Sequence, residues 1–215
     1  MDEQLKVLMV SPQVEGMRNY GGLGRAVLEL TKHLREDQNV DARIVMPTTR
    51  NEHAMDDISF IDHLRDEVPV LEWSTKSFPD SGRQAAYSRD ASPYQYSHGS
   101  LSASELKVYI DFAAQFKETV LPHLASDHSF TPNIVHVHDW PVAMIPQTLQ
   151  SSSDISTVFQ VHNASYDGRV ALLQRNLKTL KEDLNAEDLS EGAFIEACMW
   201  NGMVSMLKRG VHTAD

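Results

Sequence analysis

A chain of 215 residues that is 41% hydrophobic has room for one large domain with a substantial core. Its 19 basic and 30 acidic residues give a formal charge of -11, which disfavours the basic, phosphate-tracking surface of a nucleic-acid binder. The single cysteine, Cys198, excludes an internal disulfide and fits a reducing compartment. No stretch approaches the roughly 18 to 20 apolar residues that span a bilayer, and Met1 leads into Asp2 and Glu3 rather than a basic leader. These features read as a soluble, cytoplasmic protein.

In chain order, residues 5–11 form a short apolar run suited to a strand buried on both faces. From Gly24, the apolar positions Ala26, Val27, Leu30 and Leu34 recur at helical spacing. Ala42–Met46 is a second strand. Strand, helix and strand with short links make a βαβ unit, which implies a parallel sheet. Residues 48–102 read as an irregular insertion. Within it, 68–71 and 75–78 are short strand candidates, and Pro69 demotes the first to a sheet edge. Helical spacing returns over 103–124, with Pro122 closing or bending the end. A strand at 133–138, a short helix from Pro141, a strand at 156–161 and a helix over 187–210 complete the pattern. The expected fold is α/β: a doubly wound parallel sheet in a single Rossmann-like domain covering 1–215.

Ligands of such sheets bind at the carboxyl ends of the strands, and three groups of residues fall there. Gly21, Gly22 and Gly24 permit close backbone approach to a phosphate before a helix N-terminus. The pattern is GGxG rather than the dinucleotide fingerprint, so phosphate or sugar contact competes evenly with a structural glycine turn. His136, His138 and Asp139 close the strand at 133–138, with both histidines on one face. His136 alone reads better as a hydrogen-bonded core histidine, and Trp140 as packing. His162 and Asn163, with Tyr166 close behind, follow the next strand. A loop histidine there can act as acid, base or hydrogen-bond donor. His136, His138, Asp139 and His162 also offer metal-ligand types, although the HxH pair is a weak signal on its own.

Four blocks in order resemble one family. The opening strand with Gly21–Gly22–Leu23–Gly24 resembles its KxGGLG segment, and Ile134–Trp140 resembles its strand ending in HDW. Thr157–Gly168 resembles its T-V-F-T-I-H-N-L-A-Y-Q-G block, and Leu207–Asp215 resembles its L-K-x-G-I-x-x-A-D block. On these residues the chain resembles the N-terminal half of a GT-B glycosyltransferase, closest to the glycogen and starch synthases and related retaining transferases.

The resemblance implies transfer of a sugar from a nucleotide-sugar, such as ADP- or UDP-glucose, to a glucan or other acceptor. It implies retention of configuration, with no metal and no further cofactor. Gly21 and Gly22 would approach the donor diphosphate, with Arg18 and Asn19 beside them. His162 would hydrogen-bond the transferred sugar, and Asp139 would lie on the acceptor side. His138, Asn163 and Tyr166 are the remaining substrate-binding candidates.

Three departures leave donor and acceptor open. Asn19 stands where the family has lysine, with Arg18 adjacent; Arg25 stands where it has an acid; and Pro141 follows the HDW block where it has histidine. The family places its active site between two domains, and the second supplies most of the nucleotide pocket. The sequence therefore reads as an excised N-terminal domain lacking that C-terminal partner, in preference to a truncated gene product or a half-enzyme needing a partner, and as inactive alone and prone to self-associate through the exposed interdomain face. The alternatives are a non-catalytic carbohydrate-binding or interaction module with this fold and, less favoured, a metal-dependent hydrolase.

Overall fold

The computed structural model describes residues 4–17, 22–50, 59–76, 109–110, 112–150, 152, 154–162, 169–171, 181, 193, 198–200 and 203–214. A six-stranded sheet organises them in the order β3-β4-β2-β1-β5-β6. The strands are β1 (Leu5–Val10), β2 (Val40–Arg50), β3 (Ser59–Arg65), β4 (Val68–Lys76), β5 (Ile134–His138) and β6 (Ser156–Gln160). All neighbours pair in parallel except β3, which runs antiparallel to β4.

Alternation along β1 divides the core into two layers. Val7 and Met9 join Val27, Leu28, Ile44 and Val70 on the face covered by α1 (Leu23–Arg35). Leu8 and Val10 join Trp73, Phe112, Phe116, Val137 and Ile145 on the other face. Burial on both faces explains the near-continuous apolar run of β1. Helical elements on both sides make the sheet doubly wound, as the sequence implied. Strand order reverses between β1 and β5: β1, β2 and β4 step one way, then β5 and β6 step the other. This switch point opens a crevice at the carboxyl ends of β1 and β5.

The helix at α1 stands where expected, with its buried face turned slightly: Ala26 is exposed, while Leu28 and Thr31 are buried. Lys32, His33 and Arg35 in its last turn complement the helix dipole. Among the described residues, no helix is long and apolar enough to cross a membrane.

The structure differs from the sequence reading in four places. Within 48–102, residues 59–76 form a β hairpin, and β4 is one interior strand rather than two short pieces with the first at an edge; 51–58 and 77–102 lie outside the described residues. Pro69 is tolerated because the pairing of β2 with β4 begins one residue later, at Ile44 opposite Val70. The hairpin turns at Asp66 and Glu67, both at positive φ (46° and 67°), a two-residue loop without the usual Asn-Gly signal.

Pro122 does not end its helix. A π turn, Phe116–Val120, widens the backbone just before it, with Leu121 N–H bonded to Phe116 O, and α2 (Leu121–Asp127) continues beyond. That adjustment accommodates a residue that lacks an N–H and crowds the carbonyl four residues back. The short helix expected from Pro141 is divided between a 3₁₀ turn, Trp140–Val142, and α3 (Ile145–Leu149).

The helix expected over 187–210 is interrupted, among the described residues, by β8 (Met199–Trp200) and β9 (Met203–Ser205), with β7 (Arg169–Ala171) pairing β9, while residues 193, 198 and 206–210 are helical. Helical spacing of the methionines gave way here to antiparallel pairing, with Met199 opposite Val204 and Trp200 opposite Met203. Ser205 then caps α4 (Met206–Thr213), its Oγ accepting from Lys208 N–H at 3.1 Å.

Gly210 explains why α4 carries a glycine. A Cβ there would lie 2.8 Å from the Ala143 carbonyl oxygen, 2.9 Å from Ala143 Cβ and 3.1 Å from Phe159 Cε2. Two of these contacts are with backbone or a short side chain, which yield little. Overpacking costs about 1–3 kcal/mol, and the better helix propensity of alanine returns about 1 kcal/mol. Gly210→Ala is thus expected to lower stability by up to about 2 kcal/mol net in thermal melts; a raised melting temperature would contradict this packing.

Candidate functional site

The switch point gathers the carboxyl ends of β1, β5 and β6. After β1, Ser11 is fully buried and ties the turn: its hydroxyl donates to Gln13 O at 2.7 Å and accepts from Gln13 N–H at 3.2 Å. The following loop folds back on α1. A Cβ on Gly24 would meet Val14 C and Glu15 N at 3.0 Å, so Gly24 is a packing glycine.

Gly22 differs. It precedes the first residue of α1 at φ -79°, a conformation any residue adopts, and a Cβ there meets nothing within 4 Å. Neither strain nor crowding among the described residues demands glycine at this helix N-terminus, where free N–H groups favour an anion. Gly21, Arg18 and Asn19 lie outside the described residues, as do Asn163 and Tyr166.

β5 and β6 carry the polar cluster. Their register sets His136 opposite Val158 and His138 opposite Gln160. His136 and His138 share the α1 face of the sheet and stack with ring centroids 4.2 Å apart at 29°. His138 is fully buried, and its Nδ1 lies 3.0 Å from His162 Nε2. His138 thus sits behind His162. His162, half-buried beyond β6, is the more accessible of the two.

Asp139 follows immediately, also fully buried, with its N–H bonded to Gln160 O at 2.9 Å. Its backbone lies at φ 69° and ψ 170°, a region essentially reserved for glycine. Next to it, Trp140 is buried and packs edge-on against Tyr109, centroids 5.0 Å apart, as a core residue.

Burial governs the protonation of all three histidines. Desolvation, with the neighbouring His136 and His162, pushes His138 down to about 2. His136 is lowered by burial and by His162, against a raising hydrogen bond from Gln160. His162 is lowered by burial, while the Asp139 carboxylate partly opposes the shift. The cluster is therefore neutral at pH 7, a set of hydrogen-bonding rather than charged imidazoles. Among the described residues, no three His, Cys, Asp or Glu side chains are arranged to hold a metal ion.

Gln160 was not singled out from sequence, yet it joins the site twice, through its side chain to His136 and its carbonyl to Asp139. Its signal was register: it is the residue of β6 directly across from His138.

The family described as Starch synthase catalytic domain matches residues 6–215. The glycogen synthase of Photobacterium profundum is 29% identical over 223 residues, covering 98% of this chain and 42% of that protein. That of Moorella thermoacetica is 26% identical over 231 residues, covering 100% and 43%. The chain thus spans less than half the length of these relatives. Among solved structures, the catalytic domain of starch synthase IV from Arabidopsis thaliana, bound to ADP and acarbose, superposes with a TM-score of 0.62 at 15% identity. It covers 99% of this chain and 44% of that one. An α,α-trehalose-phosphate synthase from Burkholderia xenovorans superposes at 0.51 and 14% identity, over 88% and 42%. At such identities the structural likeness establishes the fold, a Rossmann-like α/β half of a larger architecture.

Proposed function

This chain belongs to the starch synthase catalytic domain family, and from that membership we propose that it is the N-terminal, acceptor-side domain of a retaining glycosyltransferase. The parent enzyme transfers a sugar from a nucleotide-sugar to a glucan or related acceptor. The observation that carries this reading is the meeting of Asp139 and His162 at adjacent strand ends beside the switch point, in a chain matched by the family over 6–215.

The chemistry assigned to these residues follows from their surroundings. Gly22 leaves open space at the N-terminus of α1, which suits the donor diphosphate. His162, neutral and held from behind, hydrogen-bonds the transferred sugar. Asp139, rigid in its strained backbone, orients the acceptor. ADP in the Arabidopsis relative supports a nucleoside diphosphate on the donor side. The remaining donor contacts come from a second domain, as the length of the relatives suggests, so this chain alone transfers little or no sugar. The reaction needs no metal or further cofactor.

The test is transfer from ADP-glucose and UDP-glucose to glycogen by the full-length natural protein, with the anomeric configuration of the product read by NMR. Transfer with retention is expected from one donor or both. Saccharide binding without transfer would favour a carbohydrate-binding module instead, and the absence of both would overturn the reading.

A further inference from the structure

The pair formed by His138 and His162 specifies more than a contact, because two neutral imidazoles 3.0 Å apart must divide the roles of donor and acceptor. The surroundings of His138 decide which is which. Its ring is fully buried, and its other nitrogen, Nε2, has no hydrogen-bond partner among the described residues. A proton on Nε2 would bury a donor without an acceptor, and orphaned buried N–H groups are the rarer and costlier kind. A proton on Nδ1 leaves only a lone pair at Nε2 and lets Nδ1–H donate to His162 Nε2. A neutral His162 whose Nε2 accepts carries its own proton on Nδ1. His162 makes no other hydrogen bond among the described residues, so Nδ1–H is the group it offers outward.

We propose that His138 is a positioning residue: donating from Nδ1, it fixes His162 as the Nδ1–H tautomer, so that His162 meets its ligand as a hydrogen-bond donor. His136 supports this from the far side. Its ring stacks on His138 at 4.2 Å and limits the rotation that would swap the His138 nitrogens. Burial keeps His138 neutral through the pH range in which enzymes work, with its pKa near 2. A sugar hydroxyl facing His162 is thereby held as an acceptor, and its own proton points elsewhere. The catalytic consequence rests on the proposed sugar transfer; the tautomer does not.

Nitrogen-15 NMR of histidine-labelled protein tests the tautomer directly, with the His162 signals assigned by their loss in His162→Ala. The expected spectrum has His162 Nδ1 in the N–H range and Nε2 in the unprotonated range. The reverse pattern overturns the proposal, whatever the activity. In the full-length protein, His138→Phe removes the donor and is expected to lower kcat by about 10- to 100-fold while changing KM for the nucleotide-sugar little. Asparagine places an amide N–H near the position of His Nδ1. His138→Asn is therefore expected to recover about tenfold of that loss and to keep the Nδ1–H signal of His162. A purely structural role would make the two variants fall together with their melting temperatures, and that result would also overturn the proposal. If the spectrum is as expected but no form of the protein transfers sugar, the proposed function fails and the tautomer assignment stands.

Discussion

Glycine at position 139 is expected to give a more stable protein than alanine there, while both variants lose sugar transfer. At ordinary positions the order is reversed, because glycine gives up about 0.5–1 kcal/mol more backbone entropy on folding. Asp139 is not ordinary: φ 69° with ψ 170° crowds any Cβ, and such residues carry about 1–3 kcal/mol of strain. Alanine keeps that strain and loses the carboxylate. Glycine relieves it. The net advantage of Asp139→Gly over Asp139→Ala is about 1–2 kcal/mol, or about 2–8 °C in melting temperature for a domain of this size.

The strain is stored where two structural requirements meet. The N–H must bond Gln160 O, and the chain must turn at once into the buried 3₁₀ turn Trp140–Val142. Loss of an oriented carboxylate at the acceptor is expected to cost at least about a hundredfold in transfer. Differential scanning calorimetry and an activity assay on the two variants check both halves. Alanine more stable than glycine would show that the backbone at 139 is relaxed.

Mild acid is expected to destabilise the fold before its carboxylates titrate. His136, His138 and His162 all have folded pKa values below the ordinary 6.5. The unfolded chain therefore binds protons that the folded chain refuses, and stability falls as pH drops below about 6.5. The contribution of these groups is fully present above that value and is lost on the way down toward the folded pKa values. His138, fully buried with a folded value of about 2, accounts for a slope of about 1.4 kcal/mol per pH unit, or about 2 kcal/mol by pH 5. His136 and His162 add in the same direction. Urea unfolding at pH 7.5, 6 and 5 reads this slope, and His138→Phe should flatten it. Equal stability at pH 7.5 and 5 in the parent chain would mean that the cluster is hydrated or already protonated in the fold.

Periodicity made the central sheet legible. β1, α1, β2, β5 and β6 carry apolar patterns that only one burial geometry satisfies, and the motifs lie at their carboxyl ends, where a switch point places a crevice. The hairpin of β3 and β4 was not legible because Asp66 and Glu67 turn it without glycine or asparagine. The end of the chain misled in the opposite sense: its methionines recur at helical spacing, yet Met199 and Met203 lie in paired strands. Spacing also showed that His136 and His138 share a face. It gave neither the depth of His138 nor its bond to His162, since both depend on packing across β5 and β6 rather than on spacing within one strand. The role of Gln160 was hidden for the same reason, being a matter of register between strands. Gly210 could be read as a family residue, but its cause, the 2.8 Å approach to Ala143, exists only in the packed structure.

In the proposed reaction, His162 is the residue through which this domain meets the transferred sugar. The most direct measurement is sugar transfer by the full-length protein carrying His162→Ala, with folding verified by thermal melting and donor affinity by calorimetry. Because half-buried His162 is tied to its surroundings mainly through His138, the variant should remain folded. The expected result is a fall in kcat of at least about a hundredfold with donor nucleotide binding retained. Transfer at the parental rate in a well-folded His162→Ala protein would contradict the account.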